Sequence, residues 1–589
     1  MVPQEENKMQ EKIKNGIKEA LKNLEINSED IVLEHPEDFK NGDFSTNVAM
    51  VYAKEIKMKP VDLAEKIIAE IARLNSDNGI EGVEEIEIAG PGFINFFLSR
   101  EFFAESVEEI LKQKENFGKN NLFAGKKVMV EYTDPNPFKP FHIGHLVNHS
   151  VGESFSKLLE NAGAEVKRVS YGGDVGLHVA KTIWGMMQEP YKKDGSKKAD
   201  TSVEKPIDYL GRVYAMGSTA YDDDKTATEK IKEINKQIFE RSDKKVNELY
   251  DWGKTESLKY FDQVYKMLDV HFSYQFLESE MAPIGMFLVE EFLAKGVFEK
   301  SEGAIVFKGE QYGLHTRVFV TSQGLPTYET KELGLTKRKI EVYPFDLSIV
   351  VTANEQNDYF KVLLKVIEFV FPAIANKMRH ISHGFLRLTS GKMSSRKGSV
   401  VTGESLIKEM EEMIDAKIAE RDLTADEKKT IRQKVAIAAI KFTILKQSSG
   451  SDIIFDPEKS LSFEGDSGPY LQYSAVRAQS VLHKAQKEGV VVAKGKISAE
   501  KIPENISDFE KLLSRFPDIT ERATVELAPQ KIVTYLLELA SAFNAYYANN
   551  KIVDATDQFS SYKVALTQSF VQIMTSGLLL LGISVPEKM

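Results

Sequence analysis

KVMVEYTDPNPFKPFHIGH, running from Lys127 to His145, is the stretch that decides the fold. Val128, Val130 and Tyr132 read as a short buried strand. Asp134 to Pro140 is a turn, because each proline fixes φ and disfavours helix at the residue before it. Gly144 then opens a helix whose apolar side is continued by Leu146, Val151, Phe155, Leu158 and Leu159. A second strand, Glu165 to Ser170, ends at Gly172-Gly173. Strand, turn, helix, strand is the βαβ grammar of a parallel sheet. Three later segments fit the same sheet: Arg317–Thr321, Leu347–Thr352 and His380–Leu388.

Upstream, residues 1–110 read as a small α+β domain. Ile13, Ile17, Ala20, Leu21 and Leu24 recur at helical spacing, as do Val61, Leu63, Ala64, Ile67, Ile68 and Ile71. Ile86–Leu98 alternates like two strands about an Ala-Gly-Pro-Gly turn. The parallel-sheet domain occupies 122–402 and is interrupted at about 192–288 by a polar, helix-rich insertion. Beyond it the pattern is almost wholly helical, with a connecting region over 403–465 and an all-α domain over 466–589. The expected fold class is therefore multidomain α/β: a Rossmann-type parallel-sheet core between an N-terminal α+β domain and an all-α C-terminal domain.

Composition narrows the chemistry. Among 589 residues there is no cysteine, which excludes disulfides, thiolate metal sites and a cysteine nucleophile. The Lys+Arg total of 77 against 88 Asp+Glu gives a net charge of -11, which on its face argues against a polyanionic partner. The distribution modifies that reading. Residues 466–589 hold 13 basic and 13 acidic side chains, and Asn376–Gly403 holds six Lys/Arg with no Asp or Glu. The apolar stretch Gly577–Val585 falls far short of the ~20 residues that span a bilayer, and the N-terminal residues lack the apolar core of a signal peptide. A cytoplasmic protein without a membrane partner is expected.

Two constellations carry chemistry. His142-Ile143-Gly144-His145 sits between a strand and a helix start, where free backbone N–H groups and the positive end of the helix dipole favour phosphate. Gly144 lets a nucleotide approach the backbone, and His142 and His145 can donate to the oxygens of a phosphate under attack. The second is Gly391-Lys392-Met393-Ser394-Ser395-Arg396-Lys397-Gly398, a glycine-flanked cationic loop suited to a triphosphate and its leaving pyrophosphate. A pair of histidines near a turn is often only surface, and a charge run is often only a solvated face. Their order, with sheet elements between them, favours function.

Together the two motifs resemble the HIGH and KMSKS signatures of class I aminoacyl-tRNA synthetases. The run from Val130 to Pro140, Tyr171-Gly172-Gly173-Asp174-Val175-Gly176, Pro326–Gly334 and Asn354-Glu355-Gln356 resemble the arginyl-tRNA synthetase family. So do Gly42–Ala49 and Ala89–Phe96 in the N-terminal domain, and Tyr470–Arg477 and the Val-Pro-Glu-Lys-Met ending in the C-terminal one. The resemblance implies an arginine–tRNA ligase that activates L-arginine with ATP, Mg2+ accompanying the phosphates, and transfers it to tRNA(Arg). It implies arginine contacts at Glu131, Asn136, Tyr328, Glu332 and Gln356. ATP contacts are implied at Pro135, Asn136, His142, Gly144, His145, Gly384, Phe385, Lys392, Met393 and Ser394. His142, Gly144, His145, Lys392, Arg396 and Lys397 would assist the chemistry, and Tyr470, Tyr473 and Arg477 would meet tRNA. No protein-bound metal and a monomer are expected.

A guanidinium is a planar fork of five donors that never deprotonates, so its pocket needs acidic or neutral acceptors. Glu332 is the expected partner, with Tyr328 beside it. Departures from the family pattern are Glu332 for the more usual aspartate, Val175 for a tryptophan, and Ser395 for the second lysine of KMSKS. Two other readings stand beside this one: a synthetase paralogue that binds tRNA without charging it, which Ser395 leaves open, and another HIGH-bearing nucleotidyltransferase, which the long helical C-terminal domain disfavours.

Overall fold

The computed structural model describes residues 9–28, 31–74, 79–191, 204–389, 401–492 and 497–589. The N-terminal elements are α1 (Met9–Asn23), β1 (Phe44–Thr46), α2 (Val48–Ala53), α3 (Pro60–Leu74), β2 (Val83–Ala89), β3 (Phe93–Leu98) and α4 (Arg100–Gln113). Ile13, Ile17 and Leu21 of α1 and Leu63, Ile67 and Ile71 of α3 are buried in one core with Ile94 and Phe96. β2 and β3 pair antiparallel about a turn in which Gly90 and Gly92 both have positive φ, the tight hairpin expected from Ala-Gly-Pro-Gly.

The central sheet is built from β4 (Lys127–Glu131), α5 (Ile143–Asn161), β5 (Glu165–Gly172) and α6 (Leu177–Gln188). Three insertion helices follow, α7 (Pro206–Asp223), α8 (Lys225–Glu240) and α9 (Lys244–Met267), then β6 (Tyr274–Leu277) and α10 (Glu278–Ala294). A small sheet of β7 (Glu299–Ser301), β8 (Ala304–Phe307) and β9 (Arg317–Val320) precedes α11 (Tyr328–Val342), β10 (Leu347–Ala353), α12 (Asn357–Val370) and β11 (Met378–His383). The strand order is β11-β10-β4-β5-β6, and every neighbouring pair is parallel. Such a sheet is covered on both faces, so its strands are apolar throughout: Val128, Met129, Val130, Ile349 and Val351 are fully buried.

Three strand assignments differ from the sequence reading. Arg317–Val320 lies in the separate antiparallel sheet, paired with β8, and not in the parallel one. Its partner is delivered by a two-residue hairpin at Glu302-Gly303, both at positive φ. His380–Leu388 is two strands. β11 ends at His383, and β12 (Leu386–Leu388) pairs with β13 (Ile453–Phe455), because the chain at Gly384 passes so close to Ser451 O that a Cβ would collide. The edge strand β6 lies inside the span read as helical insertion; four residues between two helices leave little periodicity to detect.

The remaining helices are α13 (Gly403–Ile418), α14 (Ala425–Leu445), α15 (Pro457–Ser460), α16 (Gly468–Lys487), α17 (Asp508–Ser514), α18 (Phe516–Val525), α19 (Pro529–Asn549) and α20 (Ser560–Leu580). By contact the chain divides into two units. One joins 1–120 with 474–520 and 535–576; the other joins 121–473 with 521–534 and 577–589. Several C-terminal helices therefore contribute residues to both units, a division that local sequence pattern does not display. Among the described residues no helix is long and apolar enough to cross a membrane.

Candidate active site

β4 leads to β5 on one side and is flanked by β10 on the other, so the chain changes direction at β4, and ligands of doubly wound sheets bind outside the strand ends at such a point. A cavity of about 790 Å³ lies there. It brings together Glu131, Asn136, His142, Gly144, His145, Tyr328, Glu332, Gln356, Gly384 and Phe385, which come from segments more than 250 residues apart in sequence.

The histidine pair is organised by the helix it opens. His142 is the N-cap of α5, and its Nδ1 accepts the backbone N–H of Gly144 at 3.1 Å; His145 Nδ1 accepts the backbone N–H of His142 at 3.1 Å. A backbone N–H can only donate, so both Nδ1 atoms are acceptors and the ring proton of each neutral imidazole is on Nε2. The rings stack with centroids 3.6 Å apart. Burial, then the charge of Lys139, lowers His142 to about 4. Burial, His142 and Lys139 hold His145 well below its ordinary value. The result is two neutral imidazoles with Nε2–H donors at a helix N-terminus. Gly144 has a role here that the sequence did not disclose: a Cβ would sit 3.0 Å from His142 Cε1 and Nδ1, so the glycine makes room for the stack.

The turn before the pair is strained. Thr133, Asp134 and Phe138 have φ of 77°, 42° and 69°, a region that non-glycine residues seldom occupy. Side chains hold it there. Thr133 N donates to Asn148 Oδ1 at 2.7 Å, and Asn148 Nδ2 donates to Val351 O at 2.6 Å, tying the ends of β4 and β10 to α5. Asn136 Oδ1 accepts the N–H of Gly173 at 3.0 Å, and a Cβ on Gly173 would strike that oxygen. The adjacent Asp174 is fully buried and accepts from Ser279 N, Ser279 Oγ and Tyr250 Oη at 2.7–2.8 Å. It braces the turn and does not line the cavity.

Opposite the histidines the wall is acidic. Glu131 pairs with Lys339 and Glu278 with Lys331, all four side chains no more than 5% exposed. Glu332, one helical position from Lys331, faces the cavity. Burial, then the charges of Glu131 and Glu278, raises it to about 8 against the opposing pull of Lys339 and Lys331. Asp134 is raised well above its usual value by burial first and Glu131 next. Tyr328 stands at the mouth, 57% exposed, with Lys331 Nζ 4.3 Å from its ring centre. Arg317, 3.7 Å from Glu329, is the one Lys or Arg among the described residues of the lining.

Glu278, Lys331, Lys339, Tyr171, Tyr359 and Asn148 were not singled out from the sequence. They are distributed over β5, α5, α10, α11 and α12; Tyr171 and Lys331 stood inside stretches that resemble the family but without a role of their own, and Asn148 lay in the helix after His145. Pro135 lines a separate small cavity with Phe261 and Tyr265. Lys392, Met393, Ser394, Arg396 and Lys397 lie outside the described residues. Among the residues expected to meet tRNA, Tyr473 packs edge-on against Phe463, Arg477 donates to Asn544 Oδ1 at 2.7 Å, and Tyr470 N donates to Ser467 Oγ at 3.1 Å at the start of its helix. Tyr535, on α19, is 2% exposed and donates to Leu512 O, which makes it core.

Family models match three consecutive regions: an arginyl-tRNA synthetase N-terminal domain over 11–98, a class I (R) tRNA synthetase catalytic domain over 106–457 and a DALR anticodon-binding domain over 471–589. The arginine–tRNA ligase of Clostridium acetobutylicum is 32% identical over 561 residues, covering 95% of this chain and 96% of its own length. That of Clostridium botulinum is 31% identical over 584 residues, covering 98% and 100%. The fold matches Thermus thermophilus arginyl-tRNA synthetase with a TM-score of 0.79 at 23% identity, over 99% of this chain and 100% of that one. With the class I catalytic model spanning more than half its length and these relatives aligned end to end, the chain belongs to the arginyl-tRNA synthetase family.

Proposed function

We propose that this protein is an arginine–tRNA ligase whose single cavity performs both the activation of L-arginine and its transfer to tRNA(Arg). The observation that carries the proposal is the polarity of that cavity: neutral Nε2–H donors of His142 and His145 on one wall, and carboxylates centred on Glu332 on the other. An anionic triphosphate suits the first wall, and the guanidinium and α-ammonium groups of arginine suit the second.

Arginine's guanidinium meets Glu332, with Tyr328 covering it from the mouth and Gln356 beside it. Its α-amino end lies toward Asn136 and Glu131; a carboxylate has about four acceptor sites, so the pairing of Glu131 with Lys339 leaves capacity. The arginine carboxylate then attacks the α-phosphorus of ATP in line. The P–O bond to pyrophosphate breaks and arginyl-adenylate forms. His142 and His145 donate to the phosphate oxygens on which charge accumulates, and most of the acceleration is positioning and electrostatics. Phe385, 40% exposed at the cavity, is suited to lie against the adenine. Lys392, Arg396 and Lys397 supply positive charge to the leaving pyrophosphate, and Mg2+ travels with the ATP phosphates as their counter-ion. In the second step a ribose hydroxyl of the terminal adenosine of tRNA displaces AMP. The helical C-terminal region reads the anticodon, the N-terminal domain touches the tRNA elbow, and charging takes place in the cytoplasm.

The test is a charging assay with bulk tRNA and labelled arginine, lysine or glutamine in parallel. Arginine alone should be attached, and pyrophosphate exchange should be negligible until tRNA is added. Charging of lysine would refute the pocket assignment, and full exchange without tRNA would refute the order of binding.

A further inference from the structure

Two phenol groups in the arginine half of the cavity have buried hydroxyls and no hydrogen bond. Tyr171, on β5, is 8% exposed and Tyr359, on α12, is 9% exposed; both line the cavity with Glu332, and among the described residues neither Oη has a partner. Buried polar atoms are nearly always paired, and exceptions call for a cause. Other buried tyrosines of the same unit conform: Tyr132 donates to Glu153 at 2.5 Å, Tyr250 to Asp174 at 2.7 Å and Tyr260 to Glu404 at 2.7 Å. The two orphans are the ones that face the proposed substrate.

Their surroundings identify what is missing. Burial and then Glu278 and Glu332 hold Tyr171 well above its ordinary value, and burial and then Glu332 and Glu329 do the same for Tyr359. Both therefore stay protonated, each with a proton to give to a carboxylate and lone pairs to accept with. A guanidinium has five N–H donors, of which one carboxylate takes two in the fork geometry. The other three need acceptors in a place that excludes water.

We propose that Tyr171 and Tyr359 are specificity-determining residues for arginine, their hydroxyl oxygens accepting guanidinium N–H groups that Glu332 leaves unpaired. This rests on the arginine pocket described above and extends it to two elements, β5 and α12, whose tyrosines were given no role by the sequence. It also gives a reason why lysine is refused. A compact ammonium has three donors at one point and cannot reach a carboxylate and two separated hydroxyls together, so at least one buried hydroxyl would stay unsatisfied.

The experiment uses Tyr171→Phe, Tyr359→Phe and the double variant in the full-length protein. It measures kcat, the KM values for arginine and ATP, the inhibition constant of agmatine, and the thermal midpoint. Agmatine keeps the guanidinium and lacks the carboxylate. Each single change should raise arginine KM and agmatine Ki together by about tenfold, the scale expected when a buried donor loses its acceptor. ATP KM and the midpoint should barely move. The ratio by which the protein prefers arginine over Nω-methylarginine should fall in the same variants; this readout is internal to each variant and survives partial loss of folded protein. An unchanged arginine KM, a rise not shared by agmatine, an equal rise in ATP KM, or an unchanged preference over methylarginine would each overturn the assignment. Wild-type protein that fails to charge arginine at all would instead count against the pocket on which the assignment rests.

Discussion

Glu332 differs from an ordinary surface glutamate in its burial and in having three carboxylate neighbours: Glu131 from β4, Glu278 from α10 and Asp134 from the turn. Lys331 and Lys339 of its own helix offset this only in part, since each is paired elsewhere. With its value raised to about 8, most Glu332 is protonated in the empty pocket at pH 7. In the proposed contact a guanidinium needs the ionised form, so binding arginine releases a proton, and affinity must rise with pH until the group is ionised before the substrate arrives. Arginine KM should therefore fall by about tenfold per pH unit well below 8 and level off near it, since one unit of pKa is one decade in the equilibrium. Glu332→Gln keeps the shape and removes both the charge and the proton. It should raise arginine KM by about a hundredfold or more, as expected for losing a charge-assisted bidentate contact. It should also flatten the pH dependence between 6.5 and 8 to a residual slope. A steady-state KM series across that range for both proteins checks the idea; parallel curves would show that some other group titrates.

At the scale of elements, α5 joins the sheet to the site, and its fit depends on one missing side chain. Gly152 lies against Tyr132, so that a Cβ would collide with the Tyr132 Cβ and Cγ, while Tyr132 Oη and Arg168 both reach Glu153 on the same helix. Gly152→Ala must push α5 away from β4, and overpacking of this kind costs about 1–3 kcal/mol. Because Asn148 on that helix also fixes Thr133, the variant should lose kcat along with thermal stability, and unchanged activity with an unchanged midpoint would disprove the coupling. This geometry explains how far the sequence could be read. The His142–His145 turn was legible because its chemistry is local: cap, glycine and imidazoles lie within four residues. The pairing of Glu131 with Lys339 was not, because it depends on α11 crossing over the end of β4. Arg317–Val320 looked like a core strand because alternation records how a strand is buried and not which strand it pairs with. β6 was missed because it lies between two helices, in a span whose pattern is helical on both sides.

Across the whole molecule the charges are sorted and not averaged. The net of -11 is compatible with nucleic acid because the acidic surplus includes a cavity-facing wall of Glu131, Asp134, Glu278 and Glu332, while the charged residues of Asn376–Gly403 are all cationic. One cation is placed where neither substrate reaches. Lys441, on α14, is 3% exposed and donates to Gly582 O at 2.8 Å, beside Ser154, which donates to Leu580 O at 2.9 Å. The segment after α20 is thereby fastened to the two long helices α14 and α5 of the catalytic unit. Burial, set against the charge of Glu153, lowers Lys441 to about 8 from the 10.5 of an unfolded chain. Below pH 8 the amine is protonated in both states, and the folded state bears a penalty of about 3 kcal/mol for a proton it holds less tightly. Between about 8 and 10.5 the unfolded chain binds more protons than the folded one, so stability from this group rises with pH, and above that range the penalty is gone. Lys441→Met removes the titration and leaves Gly582 O without its donor. Relative to the variant, the wild type should therefore gain about 3 kcal/mol between pH 7 and pH 10, seen as thermal midpoints that converge or cross in favour of the lysine as pH rises. Midpoints of the two proteins that run parallel over those three pH units would mean that Lys441 titrates as an exposed amine and that the fastening is looser than its hydrogen bond implies.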